Sequence, residues 1–108
     1  VSHVTTHVLD AALGKPAAGI PVVLQHGDGA EIARGTTDGD GRIAQLGPER
    51  LGTGIYRLIF STADYFARQR IASFYPRVTI DFVIADGDAH YHVPVLLSPF
   101  AYSTYRGS

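Results

Sequence analysis

From Arg77 to Ala85 the chain alternates strictly, with Val78, Ile80, Phe82 and Ile84 on one side and Thr79, Asp81 and Val83 on the other. A period of two marks a half-buried β-strand, because successive side chains of an extended chain point to opposite faces. The same period runs from Val1 to Asp10, where Val4, Thr6 and Val8 oppose Thr5, His7 and Leu9. A first strand is expected there, with His7 turned away from the Val4/Val8 face. Strands of this kind need a second apolar layer to cover them, and a chain of 108 residues has room for one core and hence for one domain over 1–108.

Further strands are expected at Ile20–Gln25, Glu31–Thr36, Arg42–Leu46, Ile55–Phe60, His90–Leu97 and about Tyr102–Arg106. Pro21 lacks a backbone donor, which puts its strand at a sheet edge or places the residue at a strand start. Gly14–Gly19, Gly27–Gly29 and Asp86–Asp88 supply loops and turns. Thr62 stands where it can cap the one convincing helix, Ala63 to about Arg70, with Asp64 in the first turn and Arg68 and Arg70 in the last, as the helix dipole favours. Seven or eight short strands with one helical insertion predict an all-β fold, an antiparallel β-sandwich.

Composition narrows the function. Apolar residues make up 45% of the chain, net charge is −1 and Gly and Pro are scattered, which argues against disorder, a coiled coil or a nucleic-acid footprint. There is no cysteine, hence no disulfide and no thiolate nucleophile or ligand. No run of eighteen apolar residues is present, so no membrane partner is expected, and the strand-like start does not read as a signal peptide. The expected location is the cytoplasm, or the periplasm or peroxisome had an upstream targeting segment been removed.

Chemistry gathers at a few positions. Thr37-Asp38-Gly39-Asp40-Gly41 carries the composition of a tight reversal, two glycines for positive φ and two aspartates for side-chain turns, and delivers Arg42 onto the next strand. The loop lacks the ligand ladder and terminal Glu of a calcium-binding helix-loop-helix, so a metal is not expected there. Of five histidines, His3 and His26 read as solvated surface residues, whereas His7 and His92 interrupt β-branched or apolar strands. His90 and His92 share a strand face, and with His7 they make a three-ligand zinc site conceivable. A metal-free reading is close to it: imidazole suits proton transfer near neutral pH, and Arg42 and Arg106 suit forked hydrogen bonds to a planar, carbonyl-rich ligand. The other arginines read as solvated or weakly paired. No G-x-S-x-G elbow is present, which disfavours a Ser-His-Asp hydrolase. The last nineteen residues, His90–Ser108, end in Tyr105-Arg106-Gly107-Ser108, too rich in aromatic, hydroxyl and guanidinium groups to read as a frayed tail. Its apolar middle, Val93–Leu97, reads as core, and His90 as a flank of the site.

These segments together resemble the transthyretin-related family, in its 5-hydroxyisourate hydrolase branch. The resemblance rests on Thr6-His7-Val8-Leu9-Asp10 with Gly14-Lys15-Pro16-Ala17, on Thr37 to Arg42, on Ala63-Asp64-Tyr65-Phe66, on Phe74-Tyr75-Pro76 with Val78-Thr79-Ile80, and on His90–Ser108, whose final tetrapeptide is the most specific part. It implies a transthyretin-like sandwich of two four-stranded sheets with one short helix, assembled as a homotetramer, a dimer of dimers. It implies cofactor-free hydrolysis of 5-hydroxyisourate, a product of urate oxidation, at a cyclic amide bond. It carries catalytic roles onto His7, Arg42, His92 and Ser108, and substrate binding onto Arg42, Tyr105, Arg106 and Gly107, with no metal; Ser103 or Ser108 is expected to supply a hydrogen bond to the substrate. Unpaired edge strands meeting across a two-fold axis would put the sites at subunit interfaces. The alternative is a transthyretin-like carrier of a small, hormone-type molecule, which shares the sandwich but lacks the histidines, Arg42 and the terminal tetrapeptide. Departures from the family pattern are small: Asp38-Gly39 where Asn-Ala is common, Phe100 for Tyr, and no tryptophan in 27–32.

Overall fold

Among the described residues, eight strands and one helix follow one another as β1 (Val4–Asp10), β2 (Lys15–Pro16), β3 (Pro21–His26), β4 (Glu31–Thr36), β5 (Gly54–Phe60), α1 (Ala63–Arg68), β6 (Val78–Ile84), β7 (Tyr91–Ser98) and β8 (Ala101–Thr104). In a computed structural model that describes residues 2–108, they form two four-stranded sheets, ordered β2-β1-β7-β8 and β4-β3-β5-β6. The alternation of β1 is realised as read: Val4, Thr6 and Val8 are buried, while Thr5, His7 and Leu9 are half-buried on the opposite face. Facing them, Val22 and Leu24 of β3, Leu58 and Phe60 of β5 and Val78 and Ile84 of β6 are fully buried, with Val95 and Leu97 of β7 beside β1. Each such side chain contributes on the order of 1.5–3 kcal/mol when taken out of water.

Several expectations are corrected. The sandwich is not wholly antiparallel, because β1 and β7 run parallel, Val4 opposite Tyr91 through Asp10 opposite Leu97. The entire second sheet lies between these strands in the chain, so no hairpin fixes their relative sense. Arg42–Leu46 is not a strand. Its buried residues Ile43 and Leu46 are three apart with Ala44 and Gln45 exposed between them, a spacing that a pleated strand cannot bury on one face. The eighth strand is instead Lys15–Pro16, expected as loop, which pairs with the end of β1. Pro21 sits at the start of the interior strand β3, where a missing donor breaks no later rung.

The helix is shorter than expected and ends at Arg68; Arg70, at φ +58°, lies past the turn in the left-handed region. Thr62 caps nothing with its side chain, and its hydroxyl donates to Tyr75 O. Buried Phe66 and Tyr65 hold α1 to the sandwich, and the Tyr65 hydroxyl donates to Oδ2 of buried Asp10 at 2.7 Å. The other Asp10 oxygen accepts the backbone N–H groups of Ala12 and Leu13. Burial, then this bond to Asp10, pushes the Tyr65 phenol up to about 12. His3 is not solvated: it is buried, its Nδ1 accepts Leu51 N–H and its Nε2 donates to Ala89 O, tying two loops to the chain start. His26 is exposed, as expected.

Candidate active site

The Asp38–Gly41 turn is what carries Arg42 to β1. Asp38 Oδ1 accepts the N–H groups of Asp40 and Arg42, and Asp38 N–H closes onto Arg42 O at 2.8 Å. One aspartate and one glycine therefore perform the turn, not two of each. Gly41, at φ +75°, passes so close to β1 that a Cβ there would stand 2.3 Å from Val8 O. Val8 N–H donates to Gly41 O at 2.8 Å, and Arg42 bridges His7 in antiparallel fashion. Only glycine meets both demands, the left-handed φ and the contact.

β7 delivers the second histidine. The parallel register sets Thr5 level with His92 and His7 level with Pro94, so Thr5, His7 and His92 share the outer face of their sheet. Thr5, which sequence reading passed over as an ordinary strand residue, has its Oγ1 2.8 Å from His92 Nδ1 and 2.8 Å from His90 Nε2. Burial, then the charges of Arg42, His7 and His90, hold His92 below the usual imidazole range. The effect keeps it neutral, able to accept a proton, at neutral pH.

The tail folds back along β7. Gly107 N–H donates to His92 O at 2.8 Å, and a Cβ on Gly107 would come within 2.6 Å of His92 Cδ2 and 3.1 Å of Pro94 Cγ. The glycine of the terminal tetrapeptide is thus explained by packing: the chain passes against the imidazole, and a side chain would displace one or the other. Ser108 follows at the exposed end, and Ser103, opposite Leu96 on β8, lies on the same outer face. Most of Val93–Leu97 is core, as expected, although Leu96 is exposed.

The predicted residues do not all converge. His7, Arg42, His92 and Gly107 come together. Arg106 instead lies over the Tyr91 ring, its guanidinium carbon 4.5 Å from the ring centroid. With Tyr105 it borders a cleft of about 240 Å³ floored by Ile80, Phe82 and Tyr91, which His92 also reaches. His92 therefore stands between the outer face bearing Arg42 and the cleft bearing Arg106. Of the remaining arginines, Arg34, Arg50 and Arg57 form surface ion pairs with Glu31, Asp88 and Asp81, in keeping with the reading of them as solvent-facing.

As for metal, His90 and His92 each turn one ring nitrogen to Thr5. Among the described residues no three His, Asp or Glu side chains are grouped as metal ligands.

Residues 4–107 match the model of the HIUase/Transthyretin family. The chain belongs to this family. Among its members, a 5-hydroxyisourate hydrolase of Salmonella dublin is 44% identical over 108 residues, covering 96% of this chain and 79% of that one. The solved structure of Klebsiella pneumoniae 5-hydroxyisourate hydrolase superposes with a TM-score of 0.88 at 41% identity, over 97% and 92% of the two chains. Sea bream transthyretin in complex with thyroxine gives 0.89 at 33% identity, over 96% and 93%. Fold similarity alone thus reaches both the hydrolases and the thyroxine-bound transthyretin, and the side chains of the site must separate them. Membership in the family agrees with the two four-stranded sheets and single short helix.

Proposed function

We infer that this chain is a hydrolase that opens the ring of 5-hydroxyisourate at a cyclic amide bond, giving 2-oxo-4-hydroxy-4-carboxy-5-ureidoimidazoline in urate degradation. The observation that carries this reading is the meeting of His7, Arg42 and His92 on one sheet face, with His92 held neutral beside an arginine. The identity to named 5-hydroxyisourate hydrolases supports it independently.

The chemistry follows from the groups. A neutral imidazole of the His7/His92 pair takes a proton from water as the water oxygen bonds to the ring carbonyl carbon. Arg42 offers N–H donors to the oxygen on which negative charge develops, the kind of contact whose loss costs roughly 10²–10³ in kcat. Collapse of the tetrahedral intermediate breaks the C–N bond, leaves a carboxylate and protonates the departing nitrogen. Ser108 contributes a hydrogen bond from the chain end, and Ser103, Tyr105, Arg106 and Gly107 shape and bind the rest of the substrate. No cofactor takes part.

One domain over 1–108 holds these residues, and a homotetramer, a dimer of dimers, completes the site. Two features support assembly. Strands β8 and β6 end their sheets, and β8 is exposed at all four residues, a template for pairing with a second copy. The histidine cluster lies on an outer sheet face, where a second subunit can cover it. Sedimentation is expected at four times the 11.6 kDa chain mass; a monomer with full activity would contradict this. No helix among the described residues is long and apolar enough to cross a membrane.

The likeness to sea bream transthyretin with thyroxine favours one competing reading, a carrier without catalysis. The deciding experiment supplies freshly formed 5-hydroxyisourate from urate oxidase and follows its ultraviolet decay with the native protein, with and without a chelator. Accelerated decay insensitive to chelator is expected. Uncatalysed decay with sub-micromolar thyroxine binding would favour the carrier, and chelator sensitivity would point to zinc.

A further inference from the structure

Thr5 and His90 have no part in the hydrolytic reading as stated, yet their geometry is tied to it. Thr5 Oγ1 is 2.8 Å from His90 Nε2 and 2.8 Å from His92 Nδ1. With one proton and two lone pairs, the Thr5 hydroxyl links the two rings as a continuous chain when it donates to one ring and accepts an N–H from the other. Both hydrogen bonds therefore run in the same sense along the chain His92–Thr5–His90. One end, His90, is exposed to water; the other, His92, is half-buried beside Arg42 and His7.

We propose that Thr5 and His90 form a proton-exit relay for His92, with Thr5 setting the His92 tautomer and His90 passing the proton to solvent. The inference rests on the reading of His92 as a base in ring opening. At rest, His92 Nδ1–H donates to Thr5 Oγ1 and Thr5 O–H donates to His90 Nε2. This leaves the His92 Nε2 lone pair free for water. When water attacks, its O–H bond breaks and the proton joins Nε2.

The His92 Nδ1–H bond then breaks as that proton joins Thr5 Oγ1, while the original Thr5 proton joins His90 Nε2. His90 becomes the imidazolium and sheds its Nδ1 proton to bulk water. The balance closes, because ring opening to a carboxylate releases one proton: water brings two, and the one left on the added hydroxyl goes to the departing nitrogen. The chain is then reversed, and it returns to its resting sense when His92 gives its Nε2 proton to water entering the vacated site and His90 retakes a proton from bulk water at Nδ1. The need for an exit is local. Burial and the neighbouring Arg42, His7 and His90 all oppose a lasting charge on His92, whereas His90 faces solvent. Thr5 and His90 are on this account positioning and relay residues, which do not touch the substrate.

The test uses the full chain and 5-hydroxyisourate supplied by urate oxidase. Thr5→Val keeps the β-branched shape and removes only the hydroxyl; kcat is expected to fall about 10–100-fold, with KM within about twofold. Thr5→Ser restores the hydroxyl and is expected within about threefold of native. His90→Gln is expected to lower kcat about tenfold, and buffer imidazole to restore His90→Ala, whose vacated site is open to solvent. Native kcat in either Thr5→Val or His90→Gln overturns the relay. His92→Asn run in parallel separates the two claims. If it is inactive while those two variants are unimpaired, the relay alone is wrong; if it is fully active, the reading of His92 itself is wrong.

Discussion

Two glycines decide where the reactive side chains stand. Gly41 lets the Asp38 turn touch β1 and so sets Arg42 against His7, while Gly107 lets the tail lie on the His92 ring. Gly107→Ala puts a methyl group into van der Waals conflict with that ring. Because the residue is next to the chain end, little core packing is at stake; kcat is expected to fall at least about tenfold, as a displacement near 1 Å can do, with the melting temperature little changed. Steady-state kinetics beside a thermal melt checks both halves. A second expectation concerns pH. Burial and Arg42 hold His92 below the usual imidazole value, so the acid limb of kcat/KM is expected below about 6.5. Arg42→Gln removes a positive neighbour, relieves the penalty on the imidazolium and moves the His92 titration midpoint upward, as NMR of the ring protons would register. The positive φ of Gly41 was legible in its turn, but the close approach that each glycine makes was not, because nothing in a sequence marks contact between distant segments; nor was Thr5, an unremarked residue in a strand full of Thr and Val.

At the scale of the element, what could be read followed from periodicity. The alternating faces of β1 and β6 were legible because one face of each strand is turned to the core and the other is more open. Arg42–Leu46 was misread because two buried residues in five resemble a short strand until their spacing of three is set against the pleat. The parallel pairing of β1 with β7 was hidden because strand composition carries no sign of direction. His3 read as a solvated surface residue, yet both its ring nitrogens hold loops. The helix joins the sheets through the core packing of Phe66 and the buried hydrogen bond from Tyr65 to Asp10. Tyr65→Phe leaves Asp10 Oδ2 buried without its donor and is expected to cost about 1–3 kcal/mol of stability, read as an earlier denaturant midpoint at unchanged m-value. Activity at low temperature should persist, since β1 keeps its register with β7.

For the whole molecule, the same sandwich serves hydrolases and a thyroxine-binding protein at nearly equal structural similarity, so the account rests on what the outer face of one sheet carries. That face brings His7, Arg42 and His92 together from three separated stretches of chain, and Arg106 waits over Tyr91 on the far side of His92. The most direct test is the decay of freshly generated 5-hydroxyisourate with the native protein and with His92→Asn at equal concentration. Rapid loss of the substrate signal is expected with the native protein, and a rate close to the spontaneous one with the variant. Decay with His92→Asn as fast as with the native protein would contradict this.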